Sequence, residues 1–399
     1  MSARQGIKGV IFGLVASFAA LGVRAATYYV APNGDDGAAG TEGAPLASLS
    51  VALAKEDVTE VRLAAGDYDA MKTTTNGSDD WLAIVEKPVA IYGADAKTTV
   101  LHCRADVSGH CSCGIHLNHA DAELHGVTVT GVVRTDGGDN AYGIRIAKGK
   151  AFDCILTGNG NTTMQRNGVL LGLSTPDAVA CDCAVVDNNL GKDQGRSAVY
   201  VSNGRIERCT ITGNVNGYSR VPAGLYLKNG TAIGCTIANN SSDNSINTPD
   251  PVRPAGGVIL EGVCRLLDCV VSNNVNGLRY VGLTDVTAGG VYASGNSIIS
   301  NCTIVANQDH ASIGTSIADL ALASGTCLAI DCTIGDGFAA GPELYVAGSC
   351  TAKRCTVRHG LRQARAGRPP ADGALICRTE IHLLPVVLTQ RHRGTEEWC

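Results

Sequence analysis

The sequence lacks the motifs that most often identify an enzyme. It contains no GxxxxGK loop followed by Ser or Thr, no HExxH and no GxSxG. The usual signatures of nucleotide hydrolysis, zinc proteolysis and serine hydrolysis are therefore missing. Helical periodicity is lacking too, because no segment after about residue 60 keeps a 3.6-residue apolar period long enough for a helix. These absences predict a chain of strands and loops.

Long apolar runs are confined to the start of the chain. Residues 10–23 form a run that is too short to span a bilayer. Arg4 and Lys8 precede it, and Val23-Arg24-Ala25 resembles a small-x-small cleavage site. The pattern predicts a signal peptide over residues 1–25, with a retained membrane anchor as the alternative. No later segment could span a membrane, so we expect a secreted or cell-surface protein without a transmembrane segment after signal removal.

Positive charge is scarce in the body of the chain. Residues 26–357 carry 22 basic and 33 acidic side chains, a net charge of −11. This charge disfavours nucleic acid as a partner. It would also repel a polyuronate unless calcium or a local Arg cluster intervenes.

A short phrase is repeated eight times: Cys, a small or β-branched residue, an aliphatic residue, two variable residues, then Asn or Gly. The copies begin at Cys154, Cys183, Cys209, Cys235, Cys269, Cys302, Cys332 and Cys355. A period of this length indicates stacked supersecondary units rather than one globular core.

Each copy has the alternation of a strand. Cys and the aliphatic residue two positions later share one face, and the residue between them, usually Thr, lies on the other. We therefore expect thiols and aliphatic side chains inside, Thr outside, and a largely reduced Cys ladder. Five residues after each Cys comes Asn or Gly, which predicts a left-handed corner and a ladder of stacked Asn amides.

A second strand precedes each Cys strand and reads Gly or another residue, aliphatic, variable, aliphatic. Its copies begin at Gly114, Gly143, Gly168, Ala198, Gly224, Gly257, Gly290 and Glu343. The variable position points outward and forms a column of His116, Arg145, Leu170, Tyr200, Tyr226, Ile259, Tyr292 and Tyr345. Its Tyr rings could contact sugars; the alternative is that they pack on one another beneath the loops.

Coils of about 29 residues with short strands fit a parallel β-helix better than a leucine-rich repeat or a β-propeller. Residues 45–55 predict a short helix that caps the N-terminal end. Residues 26–357 would form the β-helix. The remaining residues, 358–399, form an irregular basic tail that is either disordered or an artefact of the gene.

The opening, Tyr28-Tyr29-Val30-Ala31-Pro32-Asn33-Gly34-Asp35 followed by Gly40-Thr41 and Pro45, resembles that of the pectate-lyase-like superfamily. So do the Gly-aliphatic-Tyr-Leu and Cys-Thr-Ile-x-x-Asn coils. The resemblance implies an all-β fold, a right-handed parallel β-helix (solenoid) with a short N-terminal capping helix. Some members cleave acidic polysaccharides with calcium held by Asp and with Lys or Arg as the base; others are non-enzymatic adhesins.

The candidate site residues lie in the outward column and in the loops. For substrate binding they are His116, Arg145, Tyr200, Tyr226, Tyr292, Tyr345, Arg253 and Arg279. For metal binding they are Asp136, Asp139, Asp243 and Asp250. A Cys/His-rich stretch is a further metal candidate, although its spacing matches no zinc motif; its members are His102, Cys103, His110, Cys111, Cys113, His116, His119 and His125. Catalytic residues are not identifiable.

Two functions follow. The first is an exported, non-catalytic surface protein that contacts a polysaccharide or a cell-surface glycan through its outward sheet and loops. The second is a polysaccharide lyase or glycoside hydrolase of the pectate-lyase-like fold, with calcium as a possible cofactor. Long loops on a rigid scaffold suit either function.

Overall fold

The structure is a computed structural model of a parallel β-helix. It describes residues 25–69, 71, 73–76, 79–103, 113–133, 141–160, 169–191, 197–217, 221–242, 255–277, 286–310, 315–339, 341–358 and 382–383. Successive coils pair in parallel, and the one described antiparallel pair joins Thr74–Asn76 to Asp79–Val85. The predicted all-β fold is confirmed. The described part of the chain contains no helix with the length and apolarity needed to cross a membrane.

The coils build three faces, and faces 1 and 2 are two parts of one bent sheet. The strands of face 1 are Thr74–Asn76, Asp79–Val85, the first part of Cys113–His125, the first part of Ile144–Phe152, Leu171–Leu173, Val199–Ser202, Leu225–Lys228, Val258–Glu261, Val291–Ala293, Leu320–Leu322 and Leu344–Val346. Those of face 2 are Ala26–Val30, Val58–Leu63, Ala90–Gly93, the rest of Cys113–His125, the rest of Ile144–Phe152, Ala178–Cys181, Arg205–Glu207, Thr231–Ile233, Arg265–Leu267, Ile298–Ser300, Leu328–Ile330 and Thr351–Lys353.

Face 3 consists of the strands that follow the repeat cysteines and of their N-terminal counterparts. They are Gly66–Tyr68, Thr99–His102, Thr128–Thr130, Ile155–Thr157, Ala184–Val186, Thr210–Thr212, Thr236–Ala238, Val270–Ser272, Thr303–Val305, Thr333–Gly335, Thr356–Arg358 and His382–Leu383. Two small sheets complete the fold. One contains Val215–Asn216, Ser241–Ser242, Val275–Asn276 and Gln308–Asp309, and the other contains Val286–Ala288 and Thr315–Ile317.

Each coil therefore has three main strands, whereas the sequence predicted two. In one coil Leu225–Lys228 lies on face 1, Thr231–Ile233 on face 2 and Thr236–Ala238 on face 3. The middle strand was missed because it has three residues and only one inward side chain, here Ala232. Such a short strand gives no measurable period of two.

The corners differ from the prediction by one position. The left-handed residue is the one before the repeat Asn, not the Asn itself; these residues are Gly158, Asp187, Gly213, Asn239, Asn273 and Ala306. A second set precedes the repeat Cys and comprises Asp153, Asp182, Arg208, Gly234, Asp268, Asn301, Asp331 and Arg354. The reason is that the repeat Asn points its amide into the rod, so its neighbour must take the turn.

The predicted Asn ladder is confirmed. Asn240 Nδ2 donates to Asn274 Oδ1 at 3.0 Å, and the Asn240 backbone N–H donates to the same oxygen at 3.1 Å. Asn240 Nδ2 also donates to the Ile211 carbonyl at 2.9 Å. The same pattern continues from Asn159 to Asn307. The ladder satisfies the backbone groups that each corner would otherwise bury unpaired.

The repeat cysteines lie inside, as predicted. All eight are free thiols with at most 2 % of their surface exposed. Aliphatic partners such as Ile211 and Ile237 are fully buried beside them, while Thr210 and Thr236 are exposed. Hydrogen bonds with Cys154 and Cys209, together with burial, raise the pKa of Cys183 well above its usual value. The thiols therefore serve as small core side chains rather than as nucleophiles.

The N-terminal helix and one strand of face 1 differ from the sequence prediction. The predicted N-terminal helix exists but is shorter, Leu49–Leu53, and its buried Leu49, Ala52 and Leu53 pack against the first strands. The face 1 strand Leu320–Leu322 was missed because Asp319 precedes it, where most of the recognised copies have Gly. The Asp319 carboxylate also accepts hydrogen bonds from the last Asn of the ladder, Asn307.

Candidate functional site

The outward column of face 1 runs the length of the rod. Its register partners are Ile84, His116, Arg145, Gly172, Tyr200, Tyr226, Ile259, Tyr292, Ala321 and Tyr345. Six predicted binding residues thus lie in one column, with about 4.8 Å between neighbouring strands. The prediction of Leu170 in this column was wrong: Leu170 is buried, and Gly172 takes the place. The apolar run at residues 169–171 hid the register because it does not alternate.

The C-terminal part of the column is covered. Val286–Ala288 and Thr315–Ile317 form a small sheet over it, and Ala288, Ile317 and Ala321 make a separate apolar cluster. Tyr292 and Tyr345 pack against that cluster. For these two residues the structural alternative, packing beneath loops, is what the structure shows. The candidate site is therefore the column from His116 to Tyr226, called the outward site below.

Two Tyr rings form one end of the outward site. Tyr200 and Tyr226 meet edge to face with ring centroids 5.2 Å apart. The Tyr226 hydroxyl donates to Glu261 Oε2, and Lys228 Nζ lies 3.8 Å from Glu261 Oε1. Both rings are half-buried. An edge-to-face pair leaves ring surface and polar groups side by side, which suits a ligand with both CH and OH groups.

An aromatic cluster forms the other end. The Trp81 ring lies 5.0 Å from His116 and 6.1 Å from Tyr142, centroid to centroid, and is stacked on the latter. The Arg145 guanidinium carbon lies 5.4 Å from the centre of the Tyr142 ring. A Cβ at position 172 would lie 2.8 Å from Tyr142 Cε1, so only Gly172 lets that ring lie across the strand. No sequence pattern pointed to Tyr142, which precedes its strand.

His116 is a neutral imidazole at the base of this cluster. It is 7 % exposed, and neither ring nitrogen has a hydrogen-bond partner among the described residues. Burial, and secondarily the charge of Arg145, lower the pKa of His116 to about 4. An unpaired buried polar group is costly and marks a site that merits a functional explanation.

Arg145 has no carboxylate partner among the described residues. It is half-buried, and in the described part of the chain its recorded contact is with the Tyr142 ring rather than with a carboxylate. Two other exposed arginines are paired: Arg208 with Asp182 at 2.7 Å, and Arg354 with Asp331 at 2.7 Å. A planar guanidinium held on a ring is preorganised for an anionic group.

Most of the remaining predicted site residues lie outside the part of the chain that the structure describes. Arg253, Arg279, Asp136, Asp139, Asp243 and Asp250 lie outside the described residues, as do His110 and Cys111. His102 contacts Asp67 at 3.1 Å, and His125 stacks on face 2. Within the described ranges no three His, Cys, Asp or Glu side chains are placed to share a metal ion.

Face 2 carries a feature that the sequence analysis missed. His125 lies between Tyr92 and Phe152, 4.6 Å from each by ring centroids, and Arg62 lies over the Tyr92 ring at 5.9 Å. The rings face one another along the rod and present only edges to solvent, so the stack is mainly structural. Hydrogen bonds from His125 and Lys150 outweigh the effect of burial and lower the pKa of Glu123. Recognition of the middle strand would have revealed this column.

An open cavity of about 550 Å³ adjoins that stack, lined in part by Lys150, Asp177 and Arg205. At this place the turn between faces 1 and 2 changes length. Residues 174–177 form the longer turn of one coil, and Asn203–Gly204 form the shorter turn of the next coil. Lys150 and Arg205 already pair with Glu123 and Glu207. The cavity therefore offers less unpaired positive charge than the outward site does.

No protein-family profile and no curated protein sequence matches this chain. Solved structures resemble it in fold. A rhamnogalacturonan lyase is 13 % identical with a TM-score of 0.47, covering 82 % of this chain and 87 % of its own. Pectate lyase Pel9A is 15 % identical with a TM-score of 0.43, covering 82 % and 79 %. A lacto-N-biosidase from Eubacterium ramulus is 12 % identical with a TM-score of 0.41, covering 84 % and 68 %.

By their names these neighbours act on glycans, and the likeness concerns the fold alone. The class defined by fold and geometry is a parallel β-helix with an open, partly aromatic column on one face. The structure thus agrees with the parallel β-helix that the sequence predicted. The particular activity has to be argued from the outward site.

Proposed function

We propose that this protein acts outside the cell and binds a polysaccharide along the outward site, with Arg145 contacting a carboxylate of the glycan. The observation that carries the proposal is the unpaired Arg145 guanidinium in line with the Tyr200–Tyr226 pair. Four strand steps separate His116 from Tyr226, a span of about 19 Å. That length accommodates several sugar units of one chain.

The charge of the rod limits the kind of glycan. A net charge of −11 over residues 26–357 opposes a densely charged polyanion, while one local Arg favours a single acid group. We therefore expect the protein to bind a polysaccharide in which acidic sugars are widely spaced among neutral ones. Export is supported by the signal-like residues 1–25.

Binding is tested by calorimetric titration with three glycans: a neutral one, one with sparse uronic acids, and a dense polyuronate. Arg145→Gln should weaken binding of the sparse acidic glycan at least tenfold and leave the neutral glycan almost unaffected. Tyr226→Leu should weaken both. Arg265→Gln and Tyr92→Leu, which alter the same residue types on face 2, should change neither. Equal loss in the face 2 variants, or no loss at Arg145, would rule out the outward site.

A second candidate is cleavage of the same glycan by β-elimination. It is favoured by the neutral, unpartnered His116 one strand from Arg145, and it requires the buried imidazole to turn out from beside Trp81 when the glycan binds. Arg145 would neutralise the uronate carboxylate, and His116 would take the C5 proton. The C4–O4 bond then breaks, a C4–C5 double bond forms, and the leaving oxygen takes a proton from water. Products would absorb in the ultraviolet.

An absorbance assay with and without calcium separates the two candidates. Turnover that is lost in His116→Gln while glycan binding persists would establish the lyase. Binding without any unsaturated or reducing ends, across the glycan series and at both calcium conditions, would leave the non-catalytic function.

A further inference from the structure

In two neighbouring coils a ladder Asn packs directly against a Gly. A Cβ at Gly290 would lie 2.8 Å from Asn307 Nδ2, and Gly257 is similarly close to its own ladder amide. In an earlier coil Ala198 stands at the Gly position, and Asn214 keeps its ladder bonds. At Gly290, therefore, a larger side chain would take the space of the Asn307 amide.

In the following coil the two residue types are exchanged. Gly337 stands at the Asn position, and Asp319 stands at the Gly position. Asp319 Oδ1 accepts from the Asn307 backbone N–H at 3.1 Å and from Asn307 Nδ2 at 2.7 Å, the two bonds that an Asn would have accepted. A Cβ at Gly337 would lie 2.7 Å from Asp319 Oδ2. The carboxyl group of Asp319 thus ends the ladder in place of an amide.

A second acid follows directly. Glu343 precedes Leu344, the register partner of Leu320, so the two acids occupy the same position in successive coils. Asp319 is fully buried and Glu343 is 9 % exposed. Asp319 Oδ2 and Glu343 Oε2 receive no N–H or O–H from any described residue. Two buried carboxylates, each with an oxygen that lacks a donor, would repel each other strongly.

We infer that Asp319 and Glu343 form a buried proton-binding site that holds one shared proton at neutral pH and thereby locks the C-terminal coils together. One protonated carboxyl supplies the O–H that the pair lacks. Burial above all, and the Glu343 carboxyl, raise the pKa of Asp319 to about 9 even though Asn307 opposes this shift. The next Asn of the ladder would have supplied an amide N–H here, and the proton on the carboxyl pair takes the place of that donor.

The surroundings contain no described group that could neutralise the pair instead. The nearest buried acid, Asp309, is already satisfied by Asn276 Nδ2 at 2.9 Å and by the Thr287 hydroxyl. Asp336, beside Gly337, is exposed and faces Arg358 at 3.9 Å. No described Lys or Arg is recorded within ion-pair distance of Asp319 or Glu343.

The shared proton makes the stability of the C-terminal coils depend on pH. The folded pair keeps a proton that an unfolded Asp releases above its usual pKa of 3.8. Between that value and about 9 the folded state binds more protons, so the lock weakens as pH rises. One proton corresponds to about a tenfold change in the opening constant per pH unit.

The test combines infrared spectroscopy with hydrogen exchange on the full chain. Wild type should keep a protonated-carboxyl band at pH 7.5, and Asp319→Asn should remove it. In peptides within residues 315–358 the opening constant should rise about tenfold per pH unit towards pH 9. Asp319→Asn, whose amide restores the ladder, should abolish that rise. Asp336→Asn, the same charge change at an exposed corner of the same coil, should leave the band and the rise intact.

Three outcomes would overturn the inference. The first is the absence of a protonated-carboxyl band from wild type at pH 7.5, which is informative even if the variant does not fold. The second is an equal pH response in wild type and Asp319→Asn. The third is saturable stabilisation of the same peptides by calcium, magnesium or potassium that Asp319→Asn abolishes, since the pair would then hold a cation rather than a proton.

Discussion

Single Asn residues link the backbone of each coil to the next. Asn240 Oδ1 accepts from the Asn214 N–H and Nδ2, while its own Nδ2 donates to Ile211 and Asn274. Asn240→Ala leaves several buried groups unpaired, each at a cost of about 1–3 kcal/mol. We expect a loss of about 3 kcal/mol or more in the free energy of unfolding, measured by urea denaturation. Asn239→Gly, at the exposed left-handed neighbour, should be nearly neutral; equal losses would contradict the ladder's importance.

The buried thiols give a second test at the residue scale. Cys209 and Cys235 are each 1 % exposed, and the thiolate form of Cys183 is disfavoured by its raised pKa. We expect the eight repeat cysteines to resist iodoacetamide in the native protein and to react in denaturant without reductant. Mass spectrometry of the peptides reads both states. Recovery of these cysteines as disulfides in denaturant would disprove the reduced ladder.

The corners are the elements that set the shape of each coil. Ala306 has a φ of +58° at the corner where the other coils have Gly, Asp or Asn. A left-handed conformation costs an ordinary L-residue roughly 1–2 kcal/mol. Ala306→Gly should therefore stabilise the protein by about 1 kcal/mol, measured as a shift in the urea midpoint. Ala238→Gly, within a strand, should destabilise it instead; a loss at position 306 would show that the corner is not strained.

The same elements explain what the sequence could predict. Strands with Cys and an aliphatic residue on one face, such as Thr236–Ala238 with its preceding Cys235, were recognisable because their pattern recurs and alternates. Middle strands such as Arg205–Glu207 were not, since three residues define no period. The outward position of Gly172 was not predicted, because the register of a strand within an apolar run is set by its pairing with the neighbouring coil. The outward site was therefore predicted in part: its column was correct, but Trp81 and Tyr142 enter it from outside the repeat.

At the scale of the whole molecule, the rod has two ends with different ionisable groups. His116 lies in an early coil and Asp319 in a late one, and each coil contacts mainly its neighbours. In such a linear array the stability of each end is set largely by the contacts between adjacent coils, so the two ends can open separately. The functional column is flanked by the Trp81 ring near His116 and by the Ala288–Ile317–Ala321 cluster near Tyr345, which adds to this asymmetry.

The two ends should consequently respond to pH in opposite directions. His116 has its pKa lowered from 6.5 to about 4, so the unfolded state binds more protons in that window and the early coils lose stability as pH falls. The late coils lose stability as pH rises towards 9. Hydrogen exchange from pH 4.5 to 9, corrected for intrinsic rates, should show opening at residues 113–125 increasing in acid and opening at residues 315–358 increasing in base. His116→Phe should remove only the acid response, whereas one shared pH profile for both segments would mean that the rod opens as a single unit.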